Sequence, residues 1–283
     1  LFEHTVIGGK CSRSRLLVGT YNALDRHATR ERIQEVSNVA ACVEILQAFF
    51  LIFDDVMDGS TMRRGKPCWH RLPGVGLSAI NDGLILDSAI NHILNDTLRN
   101  DPNKDAVSNV FAHVSVFHSP SLYTDIVNHK TSYYTCYAPL RIAMLLADCT
   151  MFAEQCKQIA FKMGYLFQAQ DDYLDCFGDP LETGKVGSDL REGKCTWVTC
   201  RAVEKLKDHP EYTRLFEENF GQASEECEMK VKSLLLKLHV KEDFVRFEAD
   251  YSRALLNDIE CFVLGDLKSV LRYSLSEFLN RKQ

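Results

Sequence analysis

Apolar side chains recur at intervals of three and four residues along almost the whole chain, the spacing that gathers them on one face of an α-helix. Between Arg30 and Met57 the set Ile33, Val36, Val39, Ala40, Val43, Leu46, Phe50 and Phe53 follows this pattern, and no glycine or proline interrupts it. Residues 152–177 repeat it with Ile159, Met163, Leu166 and Tyr173. The spacing predicts further helices over 82–98, 130–147, 196–205, 227–238 and 244–264, with short polar joints at 100–104, 179–194 and 209–212. Strict alternation of apolar and polar residues, the mark of a half-buried strand, is essentially absent. No solenoid repeat, low-complexity tract or Pro/Gly/Ser-rich linker divides the sequence. The expected architecture is all-α, one domain of long helices over residues 1–283.

Composition agrees with that pattern. The 283 residues are 46% hydrophobic and 25% charged, enough for a sizeable core and too apolar for a disordered chain. With only 15 glycines and 7 prolines, long helices are favoured over many turns. The net charge of −6 speaks against a nucleic-acid binder, whose footprint is basic, and suits a protein that holds metal cations. The 11 cysteines are scattered without a CxxC pair. Together with the lack of a signal-peptide pattern, they point to a reducing, cytoplasmic setting. The chain begins at Leu1 rather than at a methionine, which leaves an N-terminal targeting segment open. No apolar run is expected to reach the roughly 18 residues that cross a bilayer.

Two segments change this bland picture. Asp54-Asp55-Val56-Met57-Asp58 and Asp171-Asp172-Tyr173-Leu174-Asp175 are both DDxxD, and each falls near the C-terminal end of a long apolar helix. Positions i and i+4 share a helix face, so Asp54 stands over Asp58 and Asp171 over Asp175. Like charges so placed repel one another, and a helix C-terminus already carries partial negative charge. Six carboxylates in such positions call for cations. Oxygen ligands without His or Cys point to a hard ion, Mg²⁺ or Mn²⁺. Mg²⁺ typically takes one or two carboxylates and completes its shell with phosphate oxygens, so the implied partner is a phosphorylated ligand between the clusters. One DDxxD alone also fits a solvated helix end. Two copies, each on an apolar helix and each followed by basic residues, favour the ligand site.

Those basic residues are Arg63, Arg64 and Lys66 after the first cluster, and Lys185 and Lys194 after the second. Near the N-terminus lies Gly8-Gly9-Lys10-Cys11-Ser12-Arg13, where paired glycines beside Lys and Arg could let backbone approach a phosphate. By itself that stretch reads more simply as a surface turn. Arginine suits bidentate phosphate binding, and lysine acts as a point charge. None of the 9 histidines is assigned a role; they read as surface or structural residues.

With these motifs the sequence resembles the trans-isoprenyl diphosphate synthases, most nearly the farnesyl diphosphate synthases of animals. The resemblance rests on FFLIFDDVMDGSTMRRGKPCW (49–69), GVGLSAINDG (74–83), HKTSYYTCYAPL (129–140) and FQAQDDYLDCFGDPLETGKVGSDLREGKCTW (167–197), in family order. It implies long helices around a central cavity, a homodimer, and head-to-tail condensation of an allylic diphosphate with isopentenyl diphosphate. It implies metal ligation by Asp54, Asp58 and Asp171 in a cluster of three Mg²⁺ ions, with Asp55, Asp172, Asp175 and Asp189 around it. Arg63, Lys130, Lys185 and Lys194 are implied to hold the allylic diphosphate. Lys10, Arg13, Gln47 and Arg64 match the isopentenyl diphosphate site, and Thr131, Tyr134 and Gln168 match residues near the reacting carbons. Phe49 and Phe50 stand five and four residues before Asp54. That is about one helical turn, roughly 6 Å, deeper. In the family, bulk at these positions floors the cavity and limits product length; packing in the core is the alternative role.

The sequence also departs from the family. The chain starts inside the helix preceding Gly8-Gly9, so the N-terminal helices are expected to be absent. The stretch from Asn109 to Asn128 is too short for a further helix whose Gly-Gln-x-x-Asp element lines the allylic pocket and helps to form the dimer interface. The family's GGKxNRG reads GGKCSRS, and the basic C-terminal tail is only Asn280-Arg281-Lys282-Gln283. Burial of one apolar side chain is worth about 1.5–3 kcal/mol, so losing a helix rivals the roughly 5–15 kcal/mol stability of a domain unless its neighbours repack. Three functions are therefore in competition: a Mg²⁺-dependent farnesyl diphosphate synthase, a terpene synthase that ionises an allylic diphosphate without condensing it, and an impaired homologue or splice form that only binds diphosphates.

Overall fold

The computed structural model describes residues 1–114, 123–183, 187–262 and 264–279. It begins with a single turn, α1 (Phe2–Thr5), and α2 (Ser12–Leu24). The 28-residue α3 (Arg30–Met57) follows, started by the Thr29 side chain, which accepts the Arg32 N–H at 3.2 Å. A minimal antiparallel hairpin, β1 (Met62–Arg63) and β2 (Lys66–Pro67), leads into α4 (Ala79–Thr97) and α5 (Lys104–Val114). The short α6 (Tyr123–Val127) runs into a π-helix (Asn128–Tyr137) and then α7 (Ala138–Leu146). The 25-residue α8 (Ala153–Phe177) precedes the one-turn α9 (Pro180–Thr183). Finally come α10 (Trp197–Leu206), α11 (Thr213–Asn219), α12 (Glu225–Lys237), α13 (Val240–Glu260) and α14 (Gly265–Leu279).

The core forms three adjoining clusters. The first joins α2, α3, α4, α5 and α7 through residues such as Leu17, Val39, Leu86, Val107 and Ile142. The second joins α7, α8, α13 and α14 through Met144, Met163, Leu255 and Leu271. The third packs α10 to α13 on the far part of α8, with Trp197, Phe216, Leu235 and Phe244. The long helices α3 and α8 thus each carry a different cluster, and their acidic ends are held by different sets of neighbours.

The expected long helices are present, with instructive differences. The helix expected over 130–147 is divided: residues up to Tyr137 are wound as a π-helix, and α7 starts at Ala138. Pro139 has no N–H to donate to the carbonyl four residues earlier, so regular winding cannot run through it. Helices α2, α5 and α14 were not expected. In α2, Gly19 interrupts the stripe of Leu16, Leu17 and Tyr21; a Cβ there would lie 3.3 Å from Val270 of α14, so the glycine lets the two helices approach. The stretch 109–128, expected to be too short for one further family helix, holds the end of α5, the five-residue α6 and the start of the π-helix among the described residues, while 115–122 and the tail 280–283 lie outside them.

One expectation is corrected. Among the described residues, α3 is long and apolar enough to cross a bilayer by length and composition. Its apolarity has another use here. A central helix packed against α2, α4 and α7 must be hydrophobic on several faces.

Candidate active site

The first acidic motif closes α3. Asp58 caps the helix, its N–H donating to the Asp54 carbonyl at 2.8 Å, and Gly59 follows at φ +60°, where an L side chain would be strained. The chain then reverses through the two-residue turn Arg64-Gly65, both at positive φ (53° and 72°), which is the geometry of a tight hairpin. This turn separates two adjacent arginines. Arg63 points back to α3, donating from Nε (2.9 Å) and Nη2 (2.5 Å) to Asp55 Oδ1 and from Nη2 to Asp54 Oδ2 (3.3 Å). Arg64 turns towards the Gly8-Gly9 stretch, where a Cβ on Gly9 would lie 3.0 Å from its Nη2. Burial opposes the charge of Arg63, but its hydrogen bonds to Asp55 together with the charges of Asp55 and Asp54 outweigh burial and raise its pKa. For Arg64, burial and the neighbouring Arg63 charge lower it, so this guanidinium is short of anions.

The second motif lies in the last turns of α8. Asp172 is buried and holds three donors: the Tyr123 hydroxyl on Oδ2 (2.7 Å), the Trp197 backbone N–H on Oδ2 (2.7 Å), and Gln168 Nε2 on Oδ1 (2.7 Å). Burial pushes its pKa up to about 6, although all three donors pull the other way. Asp175 Oδ1 accepts the backbone N–H groups of Ser188 and Asp189, each at 3.0 Å, and so fixes the loop that carries Asp189. Lys194 then ties the end of the first motif to the loop that follows the second. Its Nζ lies 2.8 Å from Asp58 Oδ2, 2.7 Å from Glu192 Oε2 and 3.5 Å from Asp189 Oδ1. Burial alone would lower the Lys194 pKa; its bonds to Asp58 and Glu192 raise it instead.

A second, basic corner is built from α2, α3 and the π-helix. Arg13 Nη2 donates to the Tyr134 hydroxyl (2.7 Å) and to Thr135 Oγ1 (2.8 Å), and its guanidinium sits 4.4 Å from the centre of the Tyr134 ring. The Tyr134 hydroxyl donates in turn to Gln47 Oε1 at 2.6 Å. Between the corners, the Thr131 hydroxyl donates to Gln168 Oε1. Because an ionised carboxylate only accepts, Gln168 must turn its NH₂ to Asp172, which leaves its carbonyl for Thr131.

Most of these residues line one cavity of about 1410 Å³. Ordinary ligand pockets run to about 300–1,000 Å³, so there is room for two substrates together. Its lining includes Asp54, Asp58, Asp171, Asp172 and Asp175, the basic residues Lys10, Arg13, Arg63, Arg64, Lys130 and Lys194, and also Gln47, Phe49, Phe50, Thr131, Tyr134 and Gln168. The Gly8-Gly9-Lys10 stretch is part of this wall rather than a plain surface turn. Asp55 instead faces the neighbouring small pocket and Arg63. Lys185 lies outside the described residues. Phe49 and Phe50 form a ring cluster, at 5.1 Å from each other, 4.8 Å from Phe49 to Phe53 and 5.5 Å from Phe50 to Tyr134. Sequence reasoning missed Tyr123, the Trp197 amide, Cys11, Cys195 and His129, all in or beside this wall. Tyr123 lies 49 residues from Asp172, and no local pattern links the two.

The donor set fits a metal–diphosphate assembly better than bare metal. Among the described residues, no three His, Cys, Asp or Glu side chains converge on one point that could hold an ion. Carboxylates from α3 and α8 instead face a shared space, where phosphate oxygens would have to complete each shell.

A helical protein with two DDxxD-bearing helices on one deep cavity has the isoprenoid synthase fold. Comparison with known proteins agrees. The polyprenyl synthetase family matches over residues 1–238. The rat farnesyl pyrophosphate synthase is 36% identical over 285 residues, covering 92% of this chain and 80% of that protein. The maize enzyme is 33% identical over 307 residues, covering 100% and 87%. A Trypanosoma brucei farnesyl diphosphate synthase, solved with a bisphosphonate, superposes with a TM-score of 0.91 at 26% identity, covering 100% of this chain and 89% of that one. The chain belongs to the trans-isoprenyl (farnesyl) diphosphate synthase family, and its chemistry is of the prenyltransferase type.

Proposed function

We infer that this protein condenses dimethylallyl or geranyl diphosphate with isopentenyl diphosphate to give farnesyl diphosphate, in a Mg²⁺-dependent reaction. The observation that carries this reading is the pairing of an acidic and a basic corner in one cavity, with Thr131 and Gln168 between them. Asp54, Asp58, Asp171 and Asp175 would hold Mg²⁺ against the allylic diphosphate, while Asp55 and Asp172 support Arg63 and Gln168. When bound, Mg²⁺ supplies the charge that stabilises a departing diphosphate.

Lys130, Lys194 and Arg63 add fixed positive charge around that leaving group. The allylic C–O bond breaks, and its electron pair leaves with the diphosphate oxygen. The oxygens of Thr131 and Gln168 face the resulting cation, and the Phe49–Phe50 cluster supplies an apolar lining with no nucleophile. Lys10, Arg13 and Arg64 hold isopentenyl diphosphate so that its double bond meets the allylic carbon. A C–C bond forms, and the proton lost next to it passes to the released diphosphate. The retained Lys10, Arg13, Gln47 and Arg64 set favours this over a terpene synthase, which has no use for a second diphosphate site. The test is product analysis after incubation with isopentenyl and geranyl diphosphate. A fifteen-carbon diphosphate formed with Mg²⁺ and not with EDTA is expected; no elongated product would refute the reading.

A further inference from the structure

We propose that Asp172, held in place by Tyr123 and the Trp197 amide, is a positioning residue that fixes which way the Gln168 side-chain amide points. The proposal rests on the prenyl-transfer reading for its catalytic consequence, but its structural part stands on the hydrogen bonds alone. Asp172 Oδ2 receives two donors at 2.7 Å each, from the Tyr123 hydroxyl and the Trp197 N–H. The Trp197 donor belongs to the first turn of α10, whose start is fixed by a reciprocal Thr196–Thr199 capping box, so it cannot turn away. Asp172 Oδ1 is thereby aimed at Gln168 Nε2, 2.7 Å away. With its NH₂ engaged, Gln168 presents its carbonyl oxygen to the Thr131 hydroxyl and the cavity. The acceptor-only carboxylate decides which end of the amide faces it. A carbonyl oxygen facing a carbocation is favourable, whereas the NH₂ of a reversed amide would be repelled by it.

Tyr123 is kept in register by an edge-on ring contact with Tyr165 at 5.7 Å. Its removal from the network without loss of the ring is therefore a mild change. Asp172→Asn is the decisive one. The Trp197 N–H requires an acceptor, so the new amide turns its oxygen there and its NH₂ towards Gln168. Gln168 must then reverse, placing its own NH₂ beside Thr131. Adding Gln168→Glu to that variant restores an acceptor on both sides, although the single Gln168→Glu change sets two carboxylates against each other.

The experiment measures kcat, the KM for isopentenyl diphosphate and the Mg²⁺ requirement of D172N, Q168E, D172N/Q168E and Y123F. In parallel it follows the Gln168 side-chain ¹⁵N–¹H signals in substrate-free protein, assigned by their loss in Q168E. D172N is expected to lose about 10²-fold in kcat, the scale of losing one preorganised dipole. Its KM and Mg²⁺ half-saturation should be unchanged. Y123F should lose less, about tenfold or under, and D172N/Q168E should recover most of the D172N loss and exceed both single variants. The Gln168 signals should move in D172N and in Y123F. A raised Mg²⁺ requirement in D172N without rescue in the double variant would overturn the proposal and make Asp172 a metal ligand. Wild-type kcat in D172N would also overturn it. If the wild type forms no prenyl product at all, the functional reading fails, and the amide signals alone decide: unmoved in D172N, they refute the orientation claim.

Discussion

Replacing Gly164 by alanine gives the sharpest test of how the fold positions its chemistry. Gly164 is buried in α8, one turn before Gln168, against Ser132 of the π-helix that carries Lys130, Thr131 and Tyr134. A Cβ there would sit 2.6 Å from Ser132 Cβ and closer still to its Cα, where ordinary contacts are 3.4–4 Å. The two helices would have to part by about 1 Å, because the opposing atoms include backbone that no rotamer change can move. Overpacking of this kind costs about 1–3 kcal/mol, and a backbone clash belongs at the top of that range. Helix propensity alone would favour alanine by about 1 kcal/mol. The net expectation is a loss of about 2 kcal/mol, or about 4–8 °C in Tm at roughly 2–4 °C per kcal/mol for a large domain. The same separation pulls Thr131 from Gln168, so kcat should fall by about tenfold or more, as expected for roughly 1 Å of misplacement. Thermal melting and steady-state kinetics check both. A more stable Gly164→Ala variant with wild-type kcat would show that propensity prevails and that the close approach of the π-helix to α8 has no function.

Other expectations follow from the same geometry. Gly9→Ala should push the Arg64 guanidinium aside and raise the KM for isopentenyl diphosphate by about tenfold, near the value of one charge-assisted hydrogen bond, with Tm unchanged. An unaltered KM would remove Arg64 from that site. Because no three ligands converge on one point among the described residues, Mg²⁺ alone should leave the melting temperature unchanged, whereas Mg²⁺ with diphosphate at 100 times its Kd should add about 2.7 kcal/mol, several degrees in Tm. Phe49→Ala should open the ring cluster beyond the first motif and lengthen the product by at least one five-carbon unit, read by mass spectrometry. Burial pushes the thiols of Cys42, Cys68, Cys136, Cys156 and Cys176 up to about 12, so at pH 8 they should be inert to Ellman's reagent in native protein. Exposed Cys11, Cys195 and Cys261 should react, and Mg²⁺ with diphosphate should protect Cys11 and Cys195, which line the cavity, but not Cys261.

The sequence carried the long helices well, because α3 and α8 need a continuous apolar stripe and no breaker, and both demands are local. It carried the acidic clusters for the same reason: their i,i+4 spacing is a property of one helix. The division at Pro139 could have been read, since a proline without an N–H sits inside the expected helix 130–147. Residue pattern alone does not distinguish a helix buried among three others, as α3 is, from one buried in lipid. The Tyr123–Asp172–Gln168 network was not legible at all. It joins α6, α8 and the start of α10, and only packing brings a tyrosine hydroxyl, a carboxylate and a backbone N–H to one point. Likewise the opposite directions of Arg63 and Arg64 come from two positive φ angles, which Arg64-Gly65 only half announces.

The central claim is that one cavity holds two diphosphates and joins their prenyl chains. A single-turnover reaction of enzyme in excess over geranyl diphosphate, with Mg²⁺ and with or without isopentenyl diphosphate, tests it most directly. Farnesyl diphosphate is expected when both substrates are present, with little consumption of geranyl diphosphate when isopentenyl diphosphate is omitted. Conversion of geranyl diphosphate to alcohol or hydrocarbon at the same rate in both reactions, with no elongated product, would contradict it.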